Sequence, residues 1–224
     1  MTEDLKTLTI VLRRTNYGEA DRILNLITPE GKVSAIAKSV RKAKSKLAGG
    51  VEMFTLSKVQ IHQGRSELGI VTSAQMVKHY GEILKDYDRM TLAGMALRRV
   101  AKAAEHTDSP EWFELTRQVL AELDNGTNVA LIEMWFLLNL LRVSGEEVNL
   151  YRDAEGEVLQ AGARYDWSIG DQAFTRNEQG DYGENEIKIL RLATGVELAK
   201  MKRIKTEADL WEKVLNLARI MAKN

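Results

Sequence analysis

The chain has 224 residues, 44% of them hydrophobic, with 32 basic and 32 acidic residues, three histidines and no cysteine. That content can fill a core of one or two domains, and the lack of cysteine excludes disulfides and thiolate metal sites. The net charge of zero is unevenly spread: residues 1–77 hold 12 basic and 7 acidic residues (+5), while residues 78–224 hold 20 and 25 (−5), so the first part is the one suited to meet a polyanion.

The start, Met1 to Lys6, carries Glu3 and Asp4 and no apolar stretch, so no secretory signal is expected and the protein is assigned to the cytoplasm. Residues 5–77 then read as five short strands: Leu8–Leu12, Ile23–Thr28, Val33–Ala37, the alternating Leu56–His62, and Leu68–Thr72. Turn residues separate them at Tyr17-Gly18, Pro29-Glu30-Gly31, Gly49-Gly50 and Gly64. Five strands in so short a stretch, with one longer connection at residues 39–53, predict a small closed barrel. The five-stranded OB-fold and an SH3-like barrel share this signature.

From residue 78 the apolar period becomes helical, through Ile83, Leu84, Tyr87, Met90, Leu97, Val100 and Ala104. Ser109-Pro110-Glu111 predicts a helix start, and Asn125-Gly126 its stop. Thr127 is expected to cap the next helix, which is apolar nearly all round through Trp135-Phe136-Leu137-Leu138 and so belongs at the centre of a helical domain. This richest run is broken by Glu133, Asn139 and Arg142, and no run reaches the ~18 residues of a membrane span. Residues 145–182 are polar and glycine-punctuated, which predicts an irregular insertion with room for a hairpin. Helices return at 183–194 and at 206–222, the last opening on the capping-box-like Thr206-Glu207-Ala208-Asp209. The expectation is an α+β, multidomain protein: a barrel at 1–78 and a helical domain at 79–224, with an irregular knob at about 145–182.

Candidate chemistry gathers on cations. Lys38, Arg41, Lys42, Lys44 and Lys46 fall in the long connection, and no acid occurs from Gly31 to Val51. Point charges in reach of successive phosphates are what a nucleic-acid backbone requires, and they release counterions on binding. Arg13 and Arg14 follow the first strand; if that strand stays regular, only one of the two faces the same surface. A second cluster, Lys200, Lys202, Arg203 and Lys205, lies before the last helix. Tyr17 and Phe54 flank the first cluster, with Phe54 expected in the core.

No phosphate loop, dinucleotide fingerprint or nucleophile–base pair is present, so no enzyme and no cofactor are expected. His62, His79 and His106 have no metal-ligand spacing. Glu19 and Asp21 alternate and would share a face; they could hold a metal, but pairing with Arg22 is the commoner role of such acids. Two further functions suit parts of this sequence: an RNA-binding OB-fold protein of translation or ribosome assembly, and a metal-dependent phosphodiesterase using Glu19 and Asp21.

Three stretches resemble one family in the same order. Val11 to Leu24, with Tyr17-Gly18-Glu19-Ala20-Asp21-Arg22, resembles the RecO opening. Gly31-Lys32-Val33-Ser34-Ala35-Ile36-Ala37-Lys38 and then Arg41-Lys42 resemble its Gly-Lys-x-x-x-x-Ala-Lys-Gly-x-Arg-Arg stretch, with Ser39 in place of the glycine. Lys46 to Phe54 resembles the following Leu-x-Gly-x-Leu-x-Pro-Phe, with Met53 in place of the proline. Leu198 to Trp211 is similar to the family's basic stretch before its last helix. The resemblance implies an OB-fold that binds single- and double-stranded DNA in recombinational repair, anneals complementary strands, contacts SSB, and with RecR helps load RecA. It makes Arg13, Arg14, Lys38, Arg41, Lys42, Lys44, Lys46, Lys202, Arg203 and Lys205 the expected DNA contacts. Arg142, beside the apolar helix, becomes the candidate for the SSB tail. Many members carry a four-cysteine zinc knob. The corresponding places here fall near Asp153, Gly156, Phe174 and Asn177, so the knob is expected to hold by packing, without zinc.

Overall fold

The computed structural model describes residues 3–64, 68–204 and 207–223. The chain divides into two compact units, Met1–Gly126 and Thr127–Asn224.

In the first unit, β1 (Glu3–Tyr17), β2 (Asp21–Thr28), β3 (Gly31–Ala37), β4 (Thr55–Gln63) and β5 (Gly69–His79) close into a barrel in the order β1-β2-β3-β5-β4. The parallel β3/β5 pairing, Ala35 with Gly69 and Ile36 with Ile70, completes the circle. This is the OB-fold, which decides between the two barrels the pattern allowed. Val11, Leu24, Leu26, Ala35, Ala37, Val59, Ile61 and Val71 fill the interior. β1 is far longer than Leu8–Leu12 because it serves two neighbours. Its first half pairs β4, from Glu3 with Gln63 to Ile10 with Leu56, and its second half pairs β2, from Ile10 with Ile27 to Tyr17 with Asp21. The second half is exposed from Arg13 onward, so backbone bonding extends it without any apolar pattern. β5 likewise outruns Leu68–Thr72 along β4, to the pair His79 and Thr55.

α1 (Tyr87–Ala103) and α2 (Glu111–Asp124) belong to the same unit as the barrel. Asp86 caps α1 by accepting the Arg89 N–H at 3.0 Å. Leu92, Ala93, Ala96, Leu97 and Val100 form its buried stripe, and Trp112, Val119, Leu120 and Leu123 that of α2. Ile10 and Ile27, fully buried but outside the barrel interior, sit on the strands these helices touch. The secondary structure changes near residue 80, whereas the compact unit continues to Gly126, because the outer apolar face of β1 and β2 needs these two helices as cover. Glu111 is the first helical residue of α2, with Pro110 at its cap.

In the second unit, α3 (Val129–Ser144) is buried on nearly every side and packs on α4 (Glu184–Gly195) and α6 (Ala208–Met221), with the short α5 (Leu198–Met201) between. Asn128, not Thr127, caps α3: its side chain accepts the Leu131 N–H at 3.1 Å. The expected cap Thr206 of the last helix lies outside the described residues. Asn139, buried in α3, donates to the carbonyls of Trp135 and Ala193, both at 2.9 Å, and Arg219 forks onto Glu133 at 2.7 Å on both arms. The insertion contains a hairpin, β6 (Tyr165–Ser168) with β7 (Ala173–Arg176). No described helix is long and apolar enough to cross a membrane.

Candidate nucleic-acid interface

The connection after β3 is a run of tight turns, so its charges stand on a fixed base and do not ride a swinging arm. Lys42 N–H donates to Ser39 O at 3.2 Å, Ser45 N–H to Lys42 O at 2.9 Å, and Gly50 N–H to Leu47 O at 3.0 Å. Val40 and Val51, 2% and 0% exposed, plug into the barrel interior, and Leu47 and Ala48 pack beside them. Gly50 lies so close to β5 that a Cβ there would sit 2.6 Å from the Ala74 carbonyl carbon. The segment is also tied to the β1–β2 hairpin. Asp21 Oδ1 accepts the Ser39 N–H at 2.6 Å, and the Arg41 N–H reaches Ala20 O at 2.9 Å. Ser39 holds this corner at φ +53°, in the left-handed region where a glycine is at ease. The family pattern has glycine at this position.

With the apolar residues turned inward, Lys38, Arg41, Lys42, Lys44 and Lys46 are all exposed. Among the described residues no acid pairs with Lys38, Lys42, Lys44 or Lys46. Arg41 reaches only the Gly18 carbonyl, at 3.4 Å. Tyr17 beside them is 56% exposed, whereas Phe54 is core.

β1 does not stay regular at the arginines. Its register against β2 shifts between Val11 and Arg13, leaving Leu12 as an extra residue. Such a bulge turns successive side chains toward one side. Leu12, Arg13 and Arg14 therefore line one groove, opposite Arg98 and Lys102 of α1. Sequence reading missed these last two. One helical turn apart on an exposed face, they look like any solvated stripe until the barrel is set beside them.

The acids of the site have structural partners. Glu52 accepts from both Arg14 and Arg22, the latter at 2.9 Å. Arg22 thus pairs with Glu52, correcting the expected pairing with Glu19 or Asp21. Asp21 holds the turn at Ser39, and Glu19 is exposed. Among the described residues no group of three His, Asp or Glu side chains converges as a metal site would. Lys32 bonds Glu105 at 3.0 Å, and that bond holds the Glu105 carboxyl below the usual carboxylate range.

The remaining candidates lie in the second unit. Lys202 and Arg203 are exposed in the turn that ends α5; Lys205 lies outside the described residues. Arg142 is half-buried in the last turn of α3 and donates to Asn139 Oδ1 at 3.3 Å. Nearby, a cavity of about 370 Å³ at the end of α3 has Glu146 and Glu147 in its wall.

Fold and surface thus define an OB-fold barrel with a cationic edge, followed by a helical region. Residues 1–80 match the family model described as Recombination protein O N terminal, and residues 84–220 match Recombination protein O C terminal. The chain belongs to the RecO family. It is 38% identical over 152 residues to the DNA repair protein RecO of Dehalococcoides mccartyi strain 195, a match covering 66% of this chain and 58% of that one. To the protein of the same name from Roseiflexus sp. RS-1 it is 31% identical, covering 69% and 55%. To that of Listeria innocua it is 26% identical over 212 residues, covering 90% and 82%. The matches thus span less than two thirds of the length of the first two relatives.

Proposed function

We propose that this chain is a DNA-binding recombination mediator of DNA repair. It acts by contact, not catalysis, in the cytoplasm and on the nucleoid when DNA is bound. In this reading it binds single- and double-stranded DNA, anneals complementary strands, and with RecR helps RecA load onto SSB-coated single strands. The observation that carries the DNA contact is the folded basic segment: five exposed cations on the barrel edge, none with an acidic partner among the described residues. Phosphate oxygens fit that arrangement, because they pair with each cation without displacing a carboxylate. Arg13, Arg14, Lys202, Arg203 and Lys205 are secondary contacts. Arg142 is the cation to vary for an SSB-tail contact on the helical part. Unchanged affinity for a tail peptide in Arg142→Ala would remove it from that role.

The test is a charge-neutral variant of Lys38, Arg41, Lys42, Lys44 and Lys46, checked for an unchanged melt and titrated with DNA at several salt concentrations. Affinity should fall for every sequence alike, and the salt dependence should flatten by roughly 0.9 per lost duplex contact and 0.7 for single strands. A folded variant with unchanged affinity and slope would show that DNA does not bind here. Structured RNA titrated alongside separates the RNA-binding alternative.

A further inference from the structure

The groove between the bulge of β1 and the outer face of α1 encloses about 660 Å³, a size typical of ligand sites. We propose that it is a subsite for unpaired single-stranded DNA, distinct in what it reads from the basic segment. The proposal rests on the DNA-binding reading above and deepens it.

Charge comes first. Arg13 and Arg14 stand on one wall, Arg14 paired with Glu52, and Arg98 and Lys102 stand on the other. The one acid in the lining is Glu105, and it is already bonded to Lys32. Cations outnumber uncompensated acids on both walls, so the occupant is an anion with more than one charge. The floor decides its kind. Leu12 and Leu97 close the bottom, and the half-buried Met53 borders it. Gly94 keeps the helix side low: a Cβ there would lie 3.3 Å from Arg98 Nη1. An apolar floor between cationic walls suits a flat apolar ring attached to phosphates. An unstacked base can stack on guanidinium planes and on the soft thioether of Met53 while its phosphates meet the cations. A duplex keeps its bases stacked inside, so it has no ring to seat on this floor and nothing to draw its phosphates between the walls. The groove should therefore favour single strands, whereas the basic segment, which meets phosphates alone, should not discriminate.

Two variants separate this from a general field of positive charge. Arg98→Gln with Lys102→Gln removes cations from the helix wall. Gly94→Leu narrows the groove from the helix side without changing charge, at a helix position where leucine is a better former than glycine. Both are checked by thermal melt, then titrated with a labelled oligothymidine and with a blunt duplex of equal length. For the double variant we expect single-strand affinity to fall about tenfold, with the salt slope flattened by roughly 1.4, and duplex affinity little changed. Gly94→Leu should weaken the single strand alone, at unchanged slope. Equal losses for both DNAs would overturn the proposal. So would groove variants that change neither DNA while the basic-segment variant weakens both; that outcome leaves the DNA-binding reading standing. If neither set of variants affects DNA, both readings fall. Loss of an acidic peptide's binding at unchanged DNA affinity would likewise overturn the proposal and reassign the groove to a peptide.

Discussion

The basic segment at 38–46 and the knob at 145–182 are both irregular, polar and built from turns, yet they use their polar groups in opposite ways. In the knob many of those groups face one another. Asp153 Oδ1 accepts the N–H groups of Glu155 at 3.1 Å and Glu157 at 2.8 Å. Arg164 donates to the Gly180 and Asp181 carbonyls at 2.6 and 3.0 Å. Asp166 accepts from Asn177 at 2.6 Å and from the Asp181 N–H at 3.0 Å, which holds its carboxyl below the ordinary range. Phe174, fully buried, sits edge-on to Tyr165, Trp167 and Tyr182 at 5.2–6.2 Å between ring centres. In the basic segment the backbone is satisfied internally, and the cationic side chains are left exposed without acid partners among the described residues. Polar residues satisfied by one another mark structure; polar residues held in place but left open mark a surface for a partner.

The largest expected effect comes from the open side of this contrast. If all five cations of the segment bind phosphate, neutralising them should cost DNA affinity up to about four orders of magnitude near 0.1 M salt. Stability should hardly move, since exposed substitutions change it by less than ~0.5 kcal/mol each. Denaturant unfolding beside the DNA titration measures both. A melt that collapses together with affinity would mean the cations hold the fold, and the contrast would fail.

The next effect belongs to the closed side. Phe174→Ala removes the ring that three others pack against and should cost about 3–5 kcal/mol. The loss should appear as faster amide exchange across 150–182, with an unchanged DNA titration. Unchanged exchange would show that the knob does not depend on its aromatic cluster.

A smaller effect tests the corner where the segment starts. Ser39 carries a side chain at φ +53°, which costs about 1–2 kcal/mol, and glycine regains part of that while adding entropy to the unfolded chain. Ser39→Gly should therefore raise stability by up to about 1 kcal/mol and leave the DNA salt slope unchanged. A fall in stability would place the benefit of serine in some contact other than its backbone.

These residues also show what a sequence discloses. The barrel strands, the buried Phe54 and the acid-free segment were legible, because alternation, turn residues and charge runs are local signals. α3 was legible for the same reason: an apolar run on all sides of a helix has no other place. The Arg98–Lys102 wall was not, since a helix-surface cation carries no sign of what will face it. The bulge at Leu12 left a trace in the doublets Val11-Leu12 and Arg13-Arg14, which break the two-residue period of β1. The hold of Glu52 on Arg14 and Arg22 left none, because the partners are 38 and 30 residues away and only the closed barrel brings them together.

That hold sits at the boundary between the two kinds of region, and it yields the smallest effect. Glu52 draws two cations of the barrel edge, Arg14 and Arg22, into an internal pairing. Its carboxylate accepts from two guanidinium groups, Arg14 on the groove wall and Arg22 on β2, much as a phosphate would. A DNA phosphate approaching Arg14 must compete with it. Glu52→Gln keeps the shape and the backbone carbonyl that Thr55 Oγ1 donates to at 2.8 Å, but removes the charge. Both arginines become available, so single-strand affinity should rise a few-fold and the salt dependence steepen by roughly 0.7 for each arginine that finds a phosphate. The cost in stability should be within about 1 kcal/mol, because the pairs are partly exposed. The measurement is the DNA titration at several salt concentrations, beside a melt. A fall in affinity at unchanged stability would reverse the assignment: Glu52 would then hold Arg14 in the posture that DNA needs, and the internal pairing would be part of the open surface.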